Sequence, residues 1–149
     1  MGASTSLVVD GSGNWHVSYA DASRRTLRYM VVENRTAAGT PEVVDEGVGL
    51  GTETFDDAWH AVGDDSNLSV TESGEIRIAY QDATAGSLRW AVGAPAAQGH
   101  TWTVKVLDQS GFSGFFPRQV TIAGETKVAT WWRVGGAEIA GGVRLVTPQ

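Results

Sequence analysis

Six carboxylates, Glu46, Glu53, Asp56, Asp57, Asp64 and Asp65, crowd around Phe55, Trp59 and His60 within residues 46–66. Like charges at that density repel unless water solvates them or a cation neutralises them. Calcium suits such a set, because it takes roughly six to eight oxygens from carboxylates and carbonyls. Asp56, Asp57, Asp64 and Asp65 could supply part of that shell, although their spacing follows neither an EF-hand nor a repeat-in-toxin loop. A solvated acidic loop with Trp59 tucked against the fold accounts for the same residues without a metal. In either reading Trp59 and His60 are candidates to touch a ligand, and no other cofactor is called for.

Chemistry of other kinds finds little purchase. His16, His60 and His100 stand singly, no serine occupies a G-x-S-x-G elbow, and neither H-E-x-x-H nor a phosphate-binding loop occurs. With no cysteine in the chain, disulfides, thiolate nucleophiles and cysteine zinc sites are excluded. A net charge of −6 disfavours nucleic acid and anionic membrane surfaces, which need clustered Lys and Arg. No apolar run is long enough to span a bilayer as a helix, and no apolar signal core follows Met1. An exported chain would have lost its signal or carry it on another segment. Two carboxylates from distant segments could still converge as in glycoside hydrolases, so a glycan- or ester-cleaving enzyme fragment is the alternative to a non-catalytic module.

The elements that must position these residues repeat. Residues 6–29 realign without a gap on residues 67–90, placing Leu7 on Leu68, Gly13 on Gly74, Tyr19 on Tyr80, Asp21 on Asp82 and Arg28 on Arg89. A weaker third copy follows, with Val120 in the place of Leu68 and Trp131 in that of Tyr80 after one deletion. Apolar residues alternate with polar ones, as in Ile76, Ile78 and Tyr80, which is the period of a strand. Short Gly-bearing links such as Asp10 to Asn14, Glu72 to Glu75 and Ala123 to Glu125 read as hairpin turns. Nineteen glycines and the lack of helical periodicity complete an all-β picture.

The pattern predicts three consecutive four-stranded antiparallel meanders, the blades of a β-propeller, in one domain over residues 1–149, with a β-sandwich of repeated hairpins as the alternative architecture. The first blade covers about 6–46, the acidic loop 46–66, the second blade about 67–109 and an incomplete third about 117–149. Propellers usually carry about four to eight blades, so a second chain or other segments must close the ring. Asp21 and Asp82 recur where a strand enters a turn and read as Asx-type caps. Tyr19, Tyr80 and Trp131 read as packing between blades, with a ligand-lined channel as the alternative. Phe112, Phe115 and Phe116, between the second and third blades, read as a packed turn, with an exposed aromatic surface for a carbohydrate or a partner as the alternative.

The blades resemble a bacterial propeller repeat, S-L-x-[LV]-D-x-x-G followed by [IV]-[SA]-Y-x-D-[AS] and L-[RK]-[YW], with an outer strand W-x-[VI]-x-x-[VL]-D. This repeat is frequent in large secreted or lipoprotein-type proteins of myxobacteria and their relatives. Ser6, Leu7, Asp10, Gly13, Tyr19, Asp21, Leu27 and Arg28 carry it in the first copy. Leu68, Gly74, Tyr80, Asp82, Leu88 and Arg89 carry it in the second, and Trp102, Val104 and Asp108 match the outer strand. Trp131, Trp132 and Arg133 replace the Y-x-D triplet in the third copy, as in a terminal or interface blade, and join the candidates for ligand contact. The resemblance is at the level of fold and carries over no single activity. A three-blade arc exposes unpaired strand edges and apolar flanks that must be covered, so a non-catalytic binding or assembly module is expected, extracellular or at the cell surface, that self-associates as a dimer of six blades or completes a larger ring. Its loops would bind glycan or protein ligands. A calcium-stabilised domain of a larger surface protein is the further alternative.

Overall fold

A computed structural model describes residues 2–48, 59–135 and 140–148, and these form strands, turns and no helix. The first sheet holds β1 (Gly2–Val9), β2 (Trp15–Asp21), β3 (Thr26–Glu33), β4 (Thr36–Ala37) and β5 (Glu42–Asp45). The second holds β6 (Val62–Val70), β7 (Ile76–Asp82), β8 (Ser87–Pro95) and β9 (His100–Asp108). The third holds β10 (Phe112–Ile122), β11 (Glu125–Val134) and β12 (Ala140–Val146). Each sheet is an antiparallel meander in chain order, except that β4 and β5 both pair with β3. Pro41, which lacks an N–H for the ladder, stands in the gap between those two short strands.

Turn chemistry sets the hairpins. Asp10 Oδ1 accepts the N–H groups of Ser12 and Asn14, both at 2.9 Å, and Gly13 takes a φ of 86°. Between β10 and β11 both loop residues, Ala123 and Gly124, have positive φ, as a two-residue turn matched to strand twist requires. Asp10 Oδ2 also meets His16 Nε2 at 3.2 Å, and His16 Nδ1 lies 2.7 Å from the buried Tyr29 hydroxyl. The N–H of Asn14 and the His16 ring hold the Asp10 carboxyl at a pKa of about 2, below the ordinary 3.8. A carboxyl lowered by folding stabilises above its unfolded pKa and loses that contribution as pH falls through the folded one. The chain is therefore expected to lose stability between about pH 4 and pH 2, and Asp10→Asn to flatten that slope. Urea midpoints across that pH range check this; an unchanged slope in the variant would rule it out.

The sheets stack face to face, with β1 and β2 against β6, and β6 and β7 against β10. Leu27, Tyr29 and Val44 of the first sheet pack on Val62, Leu68, Ile76, Ile78, Tyr80 and Ala91 of the second. On its other face the second sheet sets Ala79, Leu88 and Trp90 against Val128 of the third. A side chain such as Leu27, moved wholly out of water, contributes about 1.5–3 kcal/mol.

Three sequence expectations shift. The second sheet starts at Val62, so Asp64 and Asp65 lie in β6 rather than in a loop; a register irregularity with positive φ at Gly63 and Asp65 admits them. The Phe112-to-Phe116 segment is also strand, the irregular start of β10. The third copy, finally, slips by one residue. Leu7 pairs Val17, Leu68 pairs Ile78, and Gln119 pairs Val128, so Thr130 and not Trp131 takes the place of Tyr80. A one-residue slip turns every side chain to the other face. Trp131 accordingly points away from the second sheet and is 41% exposed.

Candidate functional site

The gap between the first two sheets is closed by a buried ionic cluster. Arg89, projecting from β8, is hydrogen-bonded through Nη1 to Asp45 Oδ2 at 2.9 Å and pairs through Nη2 with Asp82. The Tyr80 hydroxyl donates to Asp45 Oδ2 at 2.7 Å, and His60 Nδ1 lies 2.5 Å from Asp82 Oδ2. The other oxygens are engaged too: Asp82 Oδ1 accepts the N–H groups of Thr84 and Ala85 at 3.0 Å, and Asp45 Oδ1 that of Gly47 at 2.8 Å. The Gly47 carbonyl in turn accepts the His60 N–H. A Cβ at Gly47 would stand 2.2 Å from the His60 carbonyl oxygen, so only glycine fits this link. The side chains of Arg89, Asp45, Asp82 and His60 are nearly closed to solvent, from 0% exposure at Asp82 to 7% at Asp45. Burial, and then the Asp45 carboxylate, push the Tyr80 hydroxyl well above its ordinary pKa, which keeps it a proton donor.

The second gap repeats the device with fewer parts. Arg144 of β12 pairs with Asp108 at the end of β9 and lies over the Trp132 ring, 4.4 Å from its centroid. Partial burial raises the Asp108 carboxyl, but the Ser110 N–H and Arg144 outweigh it and hold the carboxyl below the ordinary range. Strand register makes the two cases equivalent: Leu27 pairs Asp45 as Leu88 pairs Asp108, and Tyr80 pairs Arg89 as Thr130 pairs Arg144. In the first sheet Tyr19 pairs Arg28 at the same place, on the face turned away from the second sheet. There Arg28 has Asp21 of its own sheet at 3.9 Å, while Asp21 also accepts from Ser23 N–H, Arg24 N–H and the Arg24 guanidinium.

The remaining candidates are scattered. Trp59 bridges to Val48, is 53% exposed, and with Ser23, Arg24 and Arg25 lines a shallow hollow of about 300 Å³. Trp131 meets Phe115 edge to face at 5.7 Å, and the Arg133 guanidinium sits 5.7 Å from the Phe112 ring and 5.9 Å from that of Phe115. Asp65 Oδ2 accepts the Phe116 N–H at 3.2 Å. Asp56 and Asp57 lie outside the described residues. Among the described residues no group of three or more His, Asp or Glu gathers as a metal site would need.

Sequence reasoning flagged Tyr80, Asp82 and His60 and missed Asp45 and Arg89, which hold them together. The signal was the recurrence of Arg28 at Arg89 and of a strand ending in Asp at Asp45 and Asp108. Glu42 was missed as well. It accepts from Trp102 Nε1 at 2.8 Å and faces His100 Nδ1 at 3.0 Å, tying the outer strands of the first two sheets together beside Tyr29. No family model matches the chain, and no curated protein matches it at a significant level.

Proposed function

We propose that the chain is a non-catalytic extracellular assembly and binding module, a propeller-type arc that self-associates and binds glycan or protein ligands through its loops. One observation carries this reading. Each sheet presents an apolar pair on its third strand to the next sheet: Leu27 with Tyr29, then Leu88 with Trp90, all at most 3% exposed. In the third sheet the equivalent pair, Val143 and Leu145, is 73% and 71% exposed. At the other end of the arc Leu7 and Val9 are 56% and 53% exposed, whereas Leu68, the second-sheet equivalent of Leu7, is 3%. Open apolar sheet faces of this kind invite association. The resemblance to secreted propeller repeats supports an extracellular setting, and the hollow beside Trp59 offers aromatic and cationic groups to a ligand.

Light scattering on the eluting chain tests the reading. Twice 15.8 kDa is expected, unchanged by calcium. A monomer at every concentration would refute self-association, and a calcium-dependent mass would return the acidic segment to the account. A second reading, an arc completed by other segments of a larger surface protein, is favoured by Arg28. Its equivalents Arg89 and Arg144 each take an aspartate from the last strand of the preceding sheet, and Arg28 stands where such a sheet would precede it.

A further inference from the structure

We infer that the occupant of these faces is a second copy of this chain, docked head to tail, with Val143 and Leu145 of one copy seated on Val17, Tyr19 and Met30 of the other. This rests on the assembly reading and names its partner, its polarity and its contact residues. Such a contact continues an interface the chain already makes twice. Tyr29 and Ile78 share one core, and Trp90 and Val128 share the next. Register carries Tyr29 and Trp90 to Leu145, and Ile78 and Val128 to Val17. Both of those are apolar and both lie on the open faces. A small residue recurs beside the apolar pair as well: Ser18, Ala79 and Ala129 occupy the middle strand opposite Tyr29, Trp90 and Leu145.

Polarity follows from the two faces being different. The third sheet offers what the first and second offer forwards, and the first sheet offers what the second and third receive. Like faces placed together would set two presenting surfaces, or two receiving ones, against each other. Head-to-tail contacts close only if the rotation completes a ring, and two arcs of three sheets give six, within the usual range of about four to eight. Two parts of the internal interface are not repeated: among the described residues the third sheet has no fourth strand to bring Arg28 the aspartate that Arg89 and Arg144 receive, and a hydrogen bond between first strands is lost. Ser6 Oγ accepts the Leu68 N–H at 3.0 Å and Asn67 Oδ1 the Gln119 N–H at 2.9 Å, whereas Arg118 stands at that place in the third sheet and has no acceptor to offer. The contact between copies is then more apolar than those within the chain, and reversible on dilution.

The absence of cysteine allows a direct test. Leu145→Cys and Val17→Cys chains, one of them isotopically labelled, are mixed, allowed to exchange and treated with a short bis-maleimide linker. Head-to-tail docking is expected to give links between unlike chains in at least tenfold excess over links between like chains. Val143→Asp is expected to abolish both the dimer and the linking while keeping the near-ultraviolet circular dichroism of the monomer. Should that variant unfold, the cysteine pair alone decides. A dimer whose links join like chains would overturn the head-to-tail arrangement and leave self-association standing; a monomer that never links would overturn both. A ladder of masses with unlike links would overturn closure by two copies.

Discussion

Arg89→Met is expected to destabilise the chain by about 3–5 kcal/mol, the range for removing one partner from a buried charge network. In a domain whose whole stability is on the order of 5–15 kcal/mol, that is a large share. The cost arises from what stays behind. Asp45 and Asp82 keep the Tyr80 hydroxyl, the His60 ring and three backbone N–H groups, but they lose the cation that offsets their desolvation. Methionine fills most of the volume, so the loss reports charge rather than a cavity. Arg28→Met is the internal control, because repeat and register put Arg28 at the same place in the first sheet. Its side chain is 19% exposed and 3.9 Å from Asp21, and the change is expected to cost less than about 1 kcal/mol. Urea unfolding followed by tryptophan fluorescence would separate the two variants. A midpoint for Arg89→Met close to that of Arg28→Met would mean that the cluster does not hold the first two sheets together.

The same contrast explains what could be read from the sequence and what could not. The first two sheets were legible because copies of equal length keep their turns, so Leu7, Tyr19, Asp21 and Arg28 fall on Leu68, Tyr80, Asp82 and Arg89 without a gap. The third was misaligned by one residue for a physical reason. Its inward positions Gln119, Thr126 and Thr130 are polar, while its outward ones, Val120, Ile122 and Trp131, are apolar. A pattern that equates apolar with inward then locks onto the wrong face, and it does so because that outer face is itself suited to packing. The ionic cluster was half legible. Strand ends in aspartate and the recurring arginine stood in the sequence, but Asp45 and Arg89 are 44 residues apart and meet only when one sheet is laid on the next. The Glu42 contacts to His100 and Trp102 span 58 and 60 residues and left no local trace. Asp56 and Asp57 were legible as charge alone.

Leu88→Ala and Val143→Ala remove side-chain carbon from equivalent places, and they are expected to differ in a way that links packing to assembly. Leu88 is fully buried between the second and third sheets, so its truncation leaves a cavity and should cost about 2–5 kcal/mol at any protein concentration. Val143, exposed in the single chain, should change the stability of the dilute monomer by no more than about 0.5 kcal/mol. As concentration rises the original chain gains stability from docking, because only folded copies associate, and its midpoint climbs with concentration. Val143→Ala should lose that climb while Leu88→Ala keeps it, displaced downward. Thermal scans of the three proteins over a hundredfold range of concentration provide the check. Parallel, concentration-independent curves would show that the apolar face of the third sheet is not covered by another copy. A climb that survives Val143→Ala would place association elsewhere on the surface. The decisive quantity is the slope against concentration, since it alone distinguishes a side chain that completes the fold from one at the same place in the repeat that completes the assembly.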